Sequence, residues 1–537
     1  MHANIPPRLT MRGVRKTFGP VVALDNVDLT VARGEVLGLL GGNGAGKTTL
    51  MNVLFGLYKA DAGSIELDGR PLAIPSPRAA IDHGIGMVHQ HFLQVNDFTV
   101  LENIVLGADL PNRPTMRTGE AEARLRALSQ QFGLDVDPHA PLGDLPMGVR
   151  QRVEILKALY RGVDVLILDE PTTMLTPQEV DRLFASLRGM VDTGMSVIFI
   201  THKLPEVLAA CARITVLRNG RTALTIDRAA ATEEALVQAM VGASLDVESS
   251  LLFTPEAFGD VLTARGDDVM LRVDGVSAND DGGTPSLRGC TFDLHEGEIL
   301  GIAGVAGNGQ RQLAEAILAI RPMTGGTITF DGMDVGAMAT RRLLAHGLAY
   351  IPEDRWADGF LPKATVAQNL ILGQQRTAQY TKGRFLDWRA IFQRTGQLID
   401  EFNIKTEGPD ATAGDLSGGN IQRLMLARAF SRPIRLLIAH NPTQGLDLPS
   451  IEFIFKRILA RKAEGMATLL ISENLDELFL LCNRIAVLYA GRIMDVLTRD
   501  QYDKYLLGRL MSGARAEDVA ASAAAEEAAE TDAGGGR

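Results

Sequence analysis

Long apolar runs are missing from this 537-residue sequence. The longest, such as Val163 to Leu168, are the size of a strand and far short of the roughly 20 residues that a membrane helix needs, so nothing in the chain is expected to span a bilayer. Cysteine is scarce too. Cys211, Cys290 and Cys482 are odd in number and widely spread, which excludes a disulfide framework and fits reduced core thiols in a reducing compartment. No Cys-x-x-Cys pair exists to build a zinc site. The opening MHANIPPRLT lacks the apolar segment of an export signal, so a cytoplasmic location is expected. Positive charge is in deficit: 54 basic against 65 acidic residues leave a net charge of −11, which argues against a broad nucleic-acid footprint.

What is present is a repeat. CARITVL followed by Arg218-Asn-Gly-Arg221 returns as CNRIAVL followed by Tyr489-Ala-Gly-Arg492, 271 positions on, while RGEVLGLLGGNGAGKTTL around Gly41 returns as EGEILGIAGVAGNGQRQL around Gly304, 263 positions on. The chain is a tandem duplication with eight extra residues between these landmarks in its second half. Each half alternates short Val/Ile/Leu runs with longer helical patterns, which predicts an α/β architecture of parallel strands covered by helices. The expected divisions are a first domain over 8–245, a linker over 246–268, a second domain over 269–513, and a low-complexity, frayed tail over 514–537.

In the first half, Gly41-Gly-Asn-Gly-Ala-Gly46-Lys47-Thr48 follows the apolar run Val36 to Leu40 and precedes a helical pattern that starts at Lys47. That is the strand, glycine loop and helix context of a phosphate site. The glycines let backbone N–H groups face phosphates, the helix N-terminus adds positive potential, Lys47 reaches the outer phosphates and Thr48 can hold Mg²⁺. The strand Val165 to Leu168 delivers Asp169 and Glu170 at its carboxyl end, where open α/β sheets place ligands. Asp169 suits Mg²⁺, and Glu170 suits a base that activates water against the γ-phosphate. The strand Met195 to Ile200 delivers His202 toward the same phosphate; a lone histidine is more often structural, and only the other motifs raise it above that reading.

Together these motifs resemble the ATP-binding-cassette family, with two nucleotide-binding domains in one chain, from about Met11 to Gly513. The resemblance implies an α/β fold of two tandem P-loop ATPase domains, each with a helical signature subdomain, and it implies ATP and Mg²⁺. It places Phe18 in KTFGPVVAL on the adenine ring. It assigns phosphate contacts to Gly41, Asn43, Gly44, Ala45, Gly46, Lys47, Thr48 and Thr49, and to the signature residues Ser417, Gly418, Gly419 and Asn420. Gln90 in GMVHQHF matches the family's Gln loop, which senses the γ-phosphate, joins Thr48 and Asp169 at the metal, and faces the membrane partner. The catalytic set implied is Glu170, His202, Gln90 and Lys47.

The halves differ in what they retain. The second keeps the near-intact signature Leu416-Ser-Gly-Gly-Asn420, where the first has Leu145-Pro-Met-Gly-Val149. The second also carries Gln310 and Arg311 at the lysine and threonine positions, His440-Asn441 in place of Asp169-Glu170, Glu353 for Gln90 and Glu473 for His202. In the family, two cassettes close head to tail. The Lys47 loop is therefore expected to receive the Ser417 signature as one hydrolytic site, and the Gln310 loop to receive the impaired signature as a degenerate one. Gln310 retains a hydrogen-bond donor and Arg311 a charge, which leaves nucleotide binding at the second loop open.

A short linker and a single intact site favour a transporter ATPase over ribosome-acting or DNA-repair relatives. GVAGNGQ and YIPEDR in the second half resemble the ATPases of bacterial sugar and nucleoside importers, and GMVHQHF is closer to the nucleoside (basic-membrane-lipoprotein-linked) branch than to the ribose or galactose branch. The resemblance implies two permease subunits as partners, an extracytoplasmic solute-binding lipoprotein acting indirectly, a peripheral position on the cytoplasmic face of the cell membrane, and no nucleic acid.

Overall fold

The structure, a computed structural model, describes residues 7–19, 21–42, 44–90, 92–108, 118–242, 251–252 and 259–514. Asn43, much of the expected linker and the tail from 515 onward lie outside the described residues. The chain divides into two compact units, Met1–Leu245 and Asp246–Arg537.

The first unit holds β1 (Pro7–Phe18), β2 (Val21–Ala32), β3 (Val36–Leu40), β4 (Ala62–Leu67), β5 (Arg70–Pro71), β6 (Ile85–Val88), β7 (Val165–Asp169), β8 (Ser196–Thr201), β9 (Arg213–Arg218) and β10 (Arg221–Asp227). Six of these form one sheet in the order β10-β9-β3-β8-β7-β6, parallel except for the β9–β10 hairpin. Residues of β3, β7 and β8 are buried throughout, as expected of strands covered on both faces.

A second sheet, β2-β1-β4-β5, is antiparallel and was not foreseen from the pattern of parallel strands. The reason lies in β1. Leu9 and Met11 alternate inward, but Gly13 takes φ 59 and the pairing with β2 shifts between Met11 and Val14, so the period of two is broken midway. The helix Lys47–Leu54 is enclosed between the two sheets, with Leu50, Met51 and Leu54 packed among Leu9, Met11, Leu37, Leu39, Ile167 and Ile198. Three further helices, Val100–Val105, Thr118–Phe132 and Met147–Tyr160, form a helical layer. The first of them starts at a capping box in which Thr99 and Glu102 satisfy each other's backbone.

The second unit repeats this plan with β11 (Val269–Asn279), β12 (Pro285–His295), β13 (Ile299–Ala303), β14 (Met323–Phe330), β15 (Met333–Asp334), β16 (Leu348–Ile351), β17 (Thr381–Lys382), β18 (Phe385–Leu386), β19 (Leu436–His440), β20 (Ala467–Ser472), β21 (Arg484–Tyr489) and β22 (Arg492–Thr498). Its main sheet runs β16-β19-β20-β13-β21-β22 and its antiparallel sheet β12-β11-β14-β15. The eight extra residues fall in two places. Asn103 bonds both backbone groups of Val95, and Asn369 bonds both of Leu361, a spacing of 266, so three residues enter between Glu353 and Leu361 around a π-helical turn, Arg355–Gly359. The other five enter before Thr412, which bridges Thr365 as Pro141 bridges Thr99. The hairpin β17–β18 lies in this stretch.

Cys211 and Cys482 occupy matching positions over strand glycines: a Cβ on Gly38 would stand 3.0 Å from the Cys211 sulfur, and one on Gly301 2.8 Å from that of Cys482. All three cysteines are buried and unbridged. Among the described residues no helix is long and apolar enough to cross a membrane.

The expected linker is bound more tightly than that word implies. Leu251 and Leu262 are buried in the core of the second unit, and Asn483 donates to the carbonyls of Leu262 and Thr263 while accepting the N–H of Ile299 at 3.0 Å. Its first-half counterpart is Ala212, so this clamp belongs to the second unit alone. Asn483→Ala strands the buried Ile299 N–H and frees the segment; urea unfolding of the variant should show a loss of about 2 kcal/mol.

Candidate active site

β3 ends at Leu40, and the chain turns through the glycine loop into the helix Lys47–Leu54. Gly46 takes φ 103, and a Cβ there would stand 2.9 Å from the Ala23 carbonyl, so the last loop position admits only glycine. No side chain caps this helix, which leaves its first-turn N–H groups to the loop mouth. Ala45 is buried, Thr49 half-buried, and Gly44 exposed on the loop. The Lys47 ammonium donates to the carbonyls of Gly41 at 2.6 Å and Gly42 at 3.0 Å. Burial lowers its pKa, against the pull of Glu170 and Asp169.

β7 carries the acidic pair. Asp169 closes the strand, and Glu170 bends away at φ 48 while its N–H still bonds the Ile200 carbonyl of β8 at 2.9 Å. This sparsely populated backbone turn aims the Glu170 carboxylate over the sheet edge. There one oxygen faces His202 Nδ1 at 3.0 Å and the other accepts from Gln90 Nε2 at 3.3 Å. Asp169 meets the Thr48 hydroxyl at 3.5 Å. Gln90, Glu170 and His202 thus form one bonded group, with Thr48, Asp169 and Lys47 beside it.

Adjacent carboxylates have been driven apart. Burial, reinforced by Glu170, pushes Asp169 up to about 6 against the pull of Lys47. Burial acts on Glu170 too, but His202, Lys47 and Lys203 outweigh it and hold that carboxyl below the usual range. Glu170 is therefore the ionised partner, as a base must be. Phe18 is 42% exposed, edge-on to Tyr58 with 5.2 Å between ring centroids, and the Lys16 ammonium lies 5.4 Å from its ring centroid, which rules out a core role.

One supporting residue escaped sequence reasoning. Glu206 is buried and accepts from the hydroxyls of Thr172 at 2.6 Å and Thr201 at 2.8 Å, tying the turn after Glu170 to the end of β8. Glu477 does the same with Thr443 and Ser472 in the second unit. The repeat offset was the only available signal, since Thr172 lies 34 residues before Glu206 and no local motif announces the contact.

In the second unit the chemistry is rearranged on the same backbone. Asn441 takes φ 44 and bonds the Ile471 carbonyl, as Glu170 bonds that of Ile200. Its amide donates to Glu353 at 2.9 Å, so amide and carboxylate have exchanged places relative to Gln90 and Glu170. Gln310 donates to the Val305 carbonyl at 2.8 Å and accepts the Asn308 N–H at 3.0 Å, thereby occupying a donor of its own loop. Arg311 is committed to Glu315 and Asp358. His440 is buried with Nδ1 unpartnered among the described residues, and burial lowers its pKa. These groups line an open cleft of about 590 Å³ that also holds Glu473. This cleft has an amide where the first loop has its lysine and no acidic pair at the end of its strand. The first loop fits a magnesium polyphosphate: Lys47 faces the phosphates, and a hydroxyl and a carboxylate oxygen are the hard ligands Mg²⁺ takes.

The signature segments differ likewise. Ser417 caps the helix Gly418–Phe430 by position, without a side-chain bond to its N–H groups; its exposed hydroxyl accepts from Asn420 at 2.8 Å. Pro146, at the same place before the helix Met147–Tyr160, has no hydroxyl to offer.

The sequence model of the ABC transporter family matches residues 24–173 and 287–444. The chain belongs to this family, as an ATP-binding ATPase with two cassette domains. It is 42% identical to the glucose import ATP-binding protein TsgD13 of Haloferax volcanii, over 97% of this chain and 98% of that one. It is 39% identical to the nucleoside import ATP-binding protein NupA of Lactococcus lactis, over 94% and 98%, and 38% identical to the guanosine import ATP-binding protein NupO of Bacillus subtilis, over 95% and 98%.

The Asp169 shift has a consequence for this ABC ATPase in the absence of nucleotide and divalent cation. Its folded value lies above the ordinary carboxylate one, so its stabilising contribution is complete below about pH 4 and is lost as pH rises through about 6, a change of about 3 kcal/mol. Asp169→Asn should flatten that part of the profile when urea midpoints are compared at pH 4.5 and 7.5.

Proposed function

We propose that this protein is the ATP-hydrolysing subunit of an ABC importer, with one hydrolytic site built on the Lys47 loop and a second, degenerate loop at Gln310 that hydrolyses nothing. The observation that carries this reading is the bonded group Gln90–Glu170–His202 beside Thr48 and Asp169, set against its inverted counterpart Glu353–Asn441. Lys47 and the loop N–H groups hold the outer phosphates. Thr48, Asp169 and Gln90 hold Mg²⁺, which when bound neutralises charge developing on the phosphates. Glu170 takes the proton of the attacking water, and His202 fixes the carboxylate and bonds the γ-phosphate. Ser417, Gly418, Gly419 and Asn420 add a second set of donors, and Phe18 stacks on adenine.

Glu170→Gln should lower ATP turnover at least 100-fold with ATP binding retained, while Asn441→Ala changes turnover less than threefold. Equilibrium binding should give one ATP per chain, and Lys47→Ala should remove it.

The solute is a nucleoside in this reading. The GMVHQHF loop and the likeness to the two nucleoside-type relatives support it. The likeness to a glucose-type relative favours the second reading, a monosaccharide. Permease subunits and a solute-binding lipoprotein are the partners, with the chain peripheral on the cytoplasmic membrane face. Reconstituted with its permeases and binding protein, the ATPase should be stimulated by guanosine or another nucleoside; stimulation by glucose or ribose alone would select the second reading.

A further inference from the structure

Exposed rings and unpaired cations gather on one small element of the second unit. The stretch 374–394 contains the hairpin β17–β18 and the start of the helix Trp388–Glu401, and it holds five basic residues and a single acid, Asp387, in a chain whose acids outnumber its bases. That acid is spent within the fold: it accepts the N–H of Ala390 at the start of the helix and pairs with Lys382 at 2.8 Å. Arg376, Arg384 and Arg389 are exposed, with neither a hydrogen bond nor an ion pair among the described residues.

The hairpin is fixed at its base and bare at its tip. Leu386 packs against the buried Ile371, Tyr380 and Ile391, so its neighbour Phe385 points the other way and is 80% exposed, the most exposed large apolar side chain among the described residues. Lys382 stands opposite Phe385 across the hairpin, which puts ammonium and ring on one face. At the turn, Gly383 takes φ 63, and no atom lies within 4 Å of where its Cβ would stand, so the tip stands clear of the body. Trp388 is exposed beside Arg389 at the start of the helix. This combination belongs to the second half alone, since the stretch 106–131 of the first half contains no aromatic residue.

We propose that the hairpin β17–β18 and the start of the helix Trp388–Glu401 dock directly on an anionic lipid surface, with Phe385 and Trp388 entering the headgroup layer and Arg376, Arg384 and Arg389 meeting lipid phosphates. Charge complementarity carries the choice of partner: the free cations of this tip are unmixed with free acids, and the cytoplasmic leaflet is negative. Shape agrees. A convex tip bearing rings and no groove suits a flat, fluid surface, in which aromatic rings settle at headgroup depth while arginine stems lie along the apolar layer and their guanidinium groups reach water. The proposal rests on the reading that the chain works at the cytoplasmic membrane face, and it adds a contact with lipid to any contact with permeases.

The test floats the full-length chain, without permeases, on vesicles of phosphatidylcholine alone and of equal parts phosphatidylcholine and phosphatidylglycerol. The wild type should bind the anionic vesicles at least about tenfold more tightly than the neutral ones, with affinity falling as salt rises. Arg384→Gln combined with Arg389→Gln should weaken that binding at least about tenfold and Phe385→Ser at least about threefold, while Ile320→Ser, at an exposed apolar residue outside the hairpin, stays within about twofold. All of these variants should keep the ATP turnover of the wild type in solution, which shows that they fold. Trp356→Phe leaves Trp388 as the sole tryptophan, and its emission should shift to the blue on anionic vesicles. Equal wild-type affinity for the two vesicles, or unchanged binding by the double arginine variant, overturns the proposal. A second arm uses phosphatidylcholine vesicles that carry the permeases: if Phe385→Ser weakens binding there as strongly as on anionic lipid, the tip recognises a permease and the proposal falls. If the wild type binds these vesicles but not the permease-free anionic ones, the lipid contact fails and the membrane-face reading stands; if it binds neither, both fail.

Discussion

Parallel pairing of β3, β8 and β7 is the constraint on which the first unit depends. Leu40 stands opposite Thr201, and Asp169 opposite Ile200, so the phosphate loop, the acidic pair and His202 all leave the sheet at one edge. The same register in the second unit sets Ala303 opposite Ser472 and His440 opposite Ile471. The apolar, fully buried strands hold this register whatever side chains follow them. That is why the second unit exchanged nearly all of its chemistry without losing its backbone, down to the left-handed turn at Asn441.

What differs between the units is the electrostatic use of one frame. In the first, a buried lysine and two carboxylates with opposite pKa shifts surround the loop mouth. In the second, lysine has become an amide that bonds its own loop, and carboxylates have moved to Glu353 and Glu473. Positive charge has moved as well, from the phosphate loop to the signature end, where Arg355 sits by Gly418.

Much of the site was legible because its motifs are local. Gly41 to Thr48 is one continuous loop with a strand before it and a helix after it, and Asp169-Glu170 ends a recognisable apolar strand. Glu206 was illegible because Thr172, which it ties to the end of β8, is brought to it only by folding. The antiparallel sheet was hidden by the slip at Gly13, and the packed state of residues 259–268 by a composition that resembles a linker.

The sequence by itself determined the duplication, the α/β character of each half and the identity of the phosphate loop, because periodicity and contiguous motifs are written in neighbouring residues. Tertiary structure alone decided which ionisable groups face one another. The bond from Gln90 to Glu170, the opposed shifts of Asp169 and Glu170, and the exchange at Glu353 and Asn441 all depend on distances between residues far apart in the chain. Electrostatic energies are set by separation and burial, and only the folded chain fixes those.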